Sequence, residues 1–325
     1  MNNDNKFDLK SLANECGLFS ELSSDVVVQN IIDLDNSYQS GDLVNIYNYI
    51  LTVSTNPDIL MNVIRLADRF REQSTLSNLL DILLMKNVDD SDIREKFINT
   101  RVMCAKAIAN YKDTTAVTPL LYCLNNKDEN YKVRLACADA LGKIGDRYAV
   151  APLIEVVKDE DEKSVYLKES AASALGMLGD LRAIDPLVSI LETNKGIWNK
   201  FTFLKERVIE ALGKLKVDDN DRVFNALKDS LMDESSQIRI NAIEAIMDSG
   251  HDKSYEVIKK CLDDDNDDEV KKNALIALYN LRGRDILDEV VSLPIYSEFL
   301  RQEAITLIEE YEDEVVEIYR EDKEN

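Results

Sequence analysis

The sequence predicts an all-α fold, a solenoid of about eight stacked helix pairs, and three observations carry that prediction. An apolar residue recurs at Ile108, Leu141, Leu175, Leu212, Ile246, Leu278 and Ile308, with successive spacings of 33, 34, 37, 34, 32 and 30 residues. Around these anchors the period is helical: Leu135, Ala138, Leu141 and Ile144 line one stripe of a helix. The 325 residues include only five prolines and ten glycines, which argues against a β-sandwich or a low-complexity chain. A hydrophobic content of 45% supports a folded core.

Other columns keep the same register. One position before the anchor stand Ala107, Ala140, Ala174, Ala211, Ala245 and Ala277, and only Leu307 breaks the series. Seven positions before it stand Arg101, Arg134, Lys168, Lys205, Arg239, Lys271 and Arg301. Six residues earlier again lie Asp128, Glu162, Asp233 and Asp265, with Asn199 and Ile295 departing from the acidic pattern.

Taken in order, residues 1–40 form a helical N-terminal cap, with two helices between Asp8 and Ser40. Residues 41–325 form the solenoid and end in a C-terminal capping helix. Degenerate pairs run from Gly41 to Arg71 and from Ser74 to Tyr111, and regular pairs occupy Thr114 to Leu281. In each regular pair the first helix carries a stripe such as Val117, Leu120, Leu121 and Leu124. Pro119, Pro152 and Pro186 recur in the first turn of that helix, where amide hydrogens lack partners anyway. Gly145 and Gly179 close second helices, where a left-handed residue is favoured. Gly142, Gly176 and Gly213 lie inside second helices at about 1 kcal/mol each relative to alanine, so close helix approach is the expected compensation. A final pair begins near Gly283, and its last helix is expected to run towards Tyr319. No linker rich in proline, glycine or serine interrupts the series.

The pattern V-R-x-x-A-x-x-A-L-G-x-I-G-D, followed by A-V-x-P-L-I, resembles the short HEAT-like repeats also found in phycobilisome-lyase-type proteins. The match is sharpest over 133–188, good from Arg101 to Leu281 and degenerate on either side. The resemblance implies a right-handed α–α superhelix of the armadillo type, with the second helices lining its concave surface. It also implies a ladder of acidic and basic residues between adjacent repeats. Tetratricopeptide repeats share the period, but their Trp, Tyr and Pro signature positions are not filled.

The composition narrows the function. Acidic residues outnumber basic ones 62 to 39, a net charge of −23. Residues 1–100 carry 8 basic and 16 acidic side chains, residues 101–200 carry 14 of each, and residues 201–325 carry 17 and 32. Such a balance disfavours nucleic acid, whose phosphates demand lysine and arginine. It argues equally against a HEAT-like DNA glycosylase, which needs a basic groove. A single histidine, His251, excludes multi-histidine metal centres. It also excludes the di-iron chemistry of the HEAT-repeat deoxyhypusine hydroxylases, which use repeated His-Glu pairs. Five cysteines without a CxxC pair predict reduced thiols. The N-terminus lacks a basic and an apolar signal region, and no apolar run approaches the roughly 18–20 residues of a membrane helix. A cytoplasmic, acidic protein with no membrane partner is therefore expected.

Few motifs point to chemistry. Gly142-Lys143-Ile144-Gly145-Asp146 lacks the spacing and the strand context of a phosphate loop. The acidic run Asp263–Glu269 has Asp268 and Ala274 where a calcium loop needs Gly and Glu, so it reads as a solvated turn favoured by the helix dipole. Cys104 and Cys137 share a column with small residues and read as inert core. His251 reads as a surface cap in a turn. No catalytic, cofactor-binding or metal-ligating residue is assigned, and no cofactor is expected.

Two features suit a partner. The longest repeat contains an expanded turn, Asn194–Phe203, that concentrates Trp198, Phe201 and Phe203. These aromatics are either a plug over the repeat edge or a recognition knob, since tryptophan is enriched among binding hot spots. The second feature is the expected concave face of the second helices, two positions on either side of the anchor: Asp139, Lys143, Ser173, Met177, Glu210, Lys214, Glu244, Asp248, Ile276 and Asn280. Repeat arrays bind along such faces. The expected function is a non-enzymatic scaffold or adaptor that binds a protein or peptide, with a basic segment favoured by the acidic end. The alternative that the resemblance implies is a phycobilin lyase-type subunit or an accessory protein for chromophore attachment.

Overall fold

The computed structural model describes residues 8–85, 91–192, 202–215 and 220–310. Among these the chain is all-α and divides into two compact units, Met1–Ala174 and Leu175–Asn325.

The first unit contains α1 (Leu9–Glu15), α2 (Ser24–Asp33), α3 (Ser40–Val53), α4 (Pro57–Asp68), α5 (Gln73–Leu84), α6 (Ser91–Tyr111), α7 (Val117–Asn125), α8 (Tyr131–Ile144) and α9 (Val150–Lys158). It ends within α10 (Val165–Leu178). Helices α1, α3, α5 and α7 pack side by side in one row, and α2, α4, α6 and α8 form a second row against them. The second unit continues with α11 (Ile184–Glu192), α12 (Thr202–Lys214), α13 (Asp221–Ser230), α14 (Ser236–Asp248), α15 (Ser254–Asp264), α16 (Asp268–Arg282) and α17 (Asp285–Ser292), followed by α18 over 298–310. There α11 packs beside α13, while α12, α14 and α16 form the second row. The continuation of α18 towards Tyr319 lies outside the described residues.

Local chemistry explains the helix starts. Asp113, Asp146 and Asp180 each accept a hydrogen bond from the amide two residues on, at 2.7, 2.8 and 3.0 Å. Each bond opens a short 3-10 turn that feeds α7, α9 or α11. Pro119, Pro152 and Pro186 then sit in the first turn of those helices, as the sequence predicts. Gly145 ends α8 at φ +83°, a left-handed conformation that glycine adopts without a Cβ clash.

The interior glycines serve the second row. A Cβ on Gly142 would lie 2.8 Å from both Cα and Cβ of Ala174, and one on Gly176 would meet Ala211 at 2.8 and 2.9 Å. On Gly213 it would lie 3.1 Å from the same two atoms of Ala245. The alanine column of one repeat therefore packs onto the glycine of the preceding repeat, and backbones approach where a larger side chain would hold them apart. The anchors beneath, Leu141, Leu175, Leu212, Ile246 and Leu278, are buried.

The basic column forms a ladder, with one correction to its wiring. The acid that each rung uses belongs to the turn of the following repeat, not to the turn before it. Arg101 donates to the Leu83 carbonyl at 2.7 Å and to both oxygens of Glu129 at 2.9 and 2.6 Å. Arg134 repeats this with the Leu124 carbonyl at 2.9 Å and Glu162 at 2.6 Å. Lys205 reaches Asp233 at 2.8 Å, and Arg239 reaches Asp265 at 2.8 and 3.1 Å. Each arginine in the first unit thus caps the end of its own first helix and holds the next repeat by a charge-assisted bond. Glu129 takes the first rung in place of its neighbour Asp128.

Candidate functional site

All ten positions expected on the open face of the second helices are exposed or half-buried, and none enters the core. They divide between the units. In the first, Asp139 is half-buried; burial raises its carboxyl above the ordinary range, while a hydrogen bond from Ser170 and the charges of Lys143 and Lys106 oppose the rise. Ser173 is half-buried beside it on α10, and Lys143 is exposed. This stretch of the row carries no surplus of acid.

In the second unit four of the expected residues converge. Glu210 and Lys214 on α12, with Glu244 and Asp248 on α14, line a groove of about 430 Å³. Gly213 and Ala245 line it too, so the close glycine–alanine contact makes its floor. Met177 is exposed on α10. Ile276 and Asn280 on α16 lie outside the groove, and the Asn280 amide approaches the Met247 sulfur at 3.9 Å. Met247 stands in the column that holds Gly142, Gly176 and Gly213 in earlier repeats, so the glycine floor is not repeated there.

The charges within the groove are unevenly paired. Arg207 and Lys214 both bond to Glu210, each at 2.6 Å. Burial acts to raise the Glu210 carboxyl, but the Lys214 hydrogen bond and the charges of Lys214 and Arg207 prevail and hold it below the usual range. Glu244 and Asp248 have no partner among the described residues. Glu206, which the sequence reading missed, is 8% exposed and also lines the groove. It too lacks a hydrogen-bond or ion-pair partner among the described residues, and burial raises its carboxyl above the ordinary glutamate value. The signal in the sequence is faint: Glu206 occupies the column six before the anchor, where Val102, Leu135 and Ile240 stand in other repeats, but so do Glu169 and Lys272.

The other candidates resolve structurally. Trp198 and Phe201 lie outside the described residues. Phe203 belongs to the first turn of α12 rather than to the expanded turn, and its ring is exposed. His251 is not at the surface: it stacks on Phe224 with ring centroids 3.9 Å apart, and its Nδ1 accepts from the Lys253 amide at 3.2 Å. It is therefore not the surface cap expected: α15 starts without a side-chain cap, and Phe224 gives the ring an apolar face to cover. All five cysteines are buried, and none forms a disulfide. Of the acidic run, Asp263 accepts from Lys259 and Tyr296, Asp265 holds a ladder rung, and Asp267 caps α16. No group of three or more His, Cys, Asp or Glu suited to a metal occurs among the described residues. Nor is any helix among them long and apolar enough to cross a membrane.

Comparison with known proteins identifies the repeat. Three stretches, residues 91–165, 126–198 and 202–279, match the family model for HEAT repeats. Among solved structures, Kap95p in a structure with RanGDP is similar at a TM-score of 0.58 and 13% identity, covering 92% of this chain and 47% of that one. The CpcE–CpcF complex of phycocyanin lyase from Nostoc is similar at 0.45 and 22% identity, covering 74% of this chain and 89% of that one. Human deoxyhypusine hydroxylase is similar at 0.34 and 14% identity, covering 83% and 94%. No curated protein matches the sequence.

Proposed function

Because this chain belongs to the HEAT-repeat family, we propose that it is a non-enzymatic cytoplasmic scaffold or adaptor that binds a protein partner on the open face of its second helices. One observation carries the reading: the groove between α12 and α14 presents Glu244, Asp248 and Glu206 without internal partners, above a floor of glycine and alanine. Glu244 and Asp248 are exposed, whereas Glu206 is withdrawn from solvent, where an unpaired charge is costly. A surface that leaves three carboxylates unpaired is complementary to a basic segment, which gains orientation and association rate from the field. The acidic excess of residues 201–325 adds to that field at long range. The same face in the first unit, where Asp139 is held by Ser170 and balanced by Lys143 and Lys106, supplies polar contact without net attraction.

The test is a reversal of charge. Partners captured by the wild-type chain are identified by mass spectrometry, and their affinities are measured again with the triple variant Glu210→Lys, Glu244→Lys, Asp248→Lys. Affinity is expected to fall at least tenfold while the helical circular dichroism is unchanged. Equal affinity in a folded variant refutes this placement of the docking face.

A further inference from the structure

We propose that the α12–α14 groove contains a dedicated notch for one lysine or arginine side chain of the partner, with Glu206 as its recessed acceptor. The inference rests on the docking face argued above and adds the residue that gives it chemical selectivity.

The charges of the groove are unbalanced. The groove holds two cations, Arg207 and Lys214, and both close on Glu210. Neither forms an ion pair with Glu206, although the charge of adjacent Arg207 partly offsets the effect of burial on its carboxyl. More than nine-tenths of Glu206 is withdrawn from solvent, yet it lines the groove and no donor among the described residues reaches it. Its carboxylate oxygens are not fully buried and open to the groove, where an ionised carboxylate can accept several hydrogen bonds. Every acceptor left open nearby has the same character. Glu244 and Asp248 face the groove from α14, and Gln237 donates its amide to Asn241 at 2.8 Å, which leaves its own carbonyl free to accept.

An ammonium or guanidinium group supplies what this arrangement lacks: several N–H donors and one positive charge. The floor fits the rest of such a side chain. Between Gly213 and Ala245 there is backbone and one methyl group, so an aliphatic stem can lie against them while its head reaches Glu206. The corresponding approach of Gly142 to Ala174 in the first unit offers the same floor, but Leu135 stands there in the Glu206 column, and Asp139, in the Glu210 column, already accepts from Ser170. The notch is therefore a property of the walls, and of Glu206 above all.

The experiment uses the full chain and two fluorescein-labelled probes, hexa-lysine and hexa-arginine, followed by fluorescence anisotropy at low salt. Glu206→Gln is expected to weaken binding at least tenfold. Glu256→Gln, which removes an equal charge from an exposed site on α15, is expected to change it less than twofold. Thermal melts followed by circular dichroism verify that both variants are folded. If Glu206→Gln binds like wild type while the triple lysine variant does not, the notch is refuted and the docking face stands. If Glu206→Gln and Glu256→Gln lose affinity equally, attraction is a general field effect and the notch is refuted. If the wild-type chain binds neither probe, the notch and the basic-partner reading fall together.

Discussion

The α8–α10 contact of the first unit and the α12–α14 contact of the second are built on the same floor and differ in their walls. In both, a second-helix glycine meets the alanine of the next repeat so closely that a Cβ would press on backbone. In the first the bordering carboxylate is Asp139, hydrogen-bonded to Ser170 and set among lysines. In the second, Glu206, Glu244 and Asp248 stand without partners. The ladder that joins the repeats differs in the same direction: the Arg134–Glu162 rung is 7% and 9% exposed, the Lys205–Asp233 rung 17% and 19%. Packing and surface charge are thus carried by separate positions of one repeat, so a groove can gain charge without losing its packing.

The sharpest way to break this comparison is at the rungs. Glu162→Ala strands a buried guanidinium and is expected to cost about 3–5 kcal/mol, as measured by the urea midpoint of the first unit's transition. Asp233→Ala leaves a lysine that can still reach water, so about 1–2 kcal/mol is expected. Equal losses would show that the two ladders are equivalent.

The floors give a smaller effect. Gly142→Ala is expected to destabilise by about 2 kcal/mol despite a helix-propensity gain of about 1 kcal/mol, because the added methyl meets Ala174 backbone at 2.8 Å. At Gly213, where the distance is 3.1 Å, the two contributions nearly cancel and Gly213→Ala is expected to lie within about 1 kcal/mol of wild type. A Gly142→Ala variant as stable as wild type would remove the close-approach account of both floors.

The smallest effect separates ligand chemistry from stability. Burial raises the Glu206 carboxyl in the folded state, so the folded chain binds that proton more readily than the unfolded one. Its contribution to stability is therefore greatest in acid and declines as pH rises from the ordinary glutamate value through the raised one. Glu206→Gln should flatten this decline and change stability at pH 7 by no more than about 1 kcal/mol, in the stabilising direction. A clear loss of stability would mean that Glu206 supports the fold and is not held open for a ligand.

Much of this was legible in the chain. The anchor and alanine columns located the second helices, and glycines inside helices signalled close approach before any contact was visible. The basic column signalled a ladder. Its wiring was not legible, because each acid lies close in sequence to one basic residue and close in space to another. Arg134 is six residues beyond Asp128, yet it bonds to Glu162 one repeat later. His251 and Phe203 were misplaced for a related reason. The ring of Phe224 that covers His251 comes from another helix, and the start of α12 cannot be read from a turn of unusual length.

By itself the sequence determined the repeat, the helix pairs, the residues that face the core and the acidic bias of its later part, since all of these follow from periodicity and composition. Tertiary structure alone decided which acid meets which base, and that Glu206 is buried at a groove without a partner while Glu210 beside it takes two. Periodicity specifies the face on which a side chain emerges. What stands opposite depends on the offset between stacked helices, which only their packing decides.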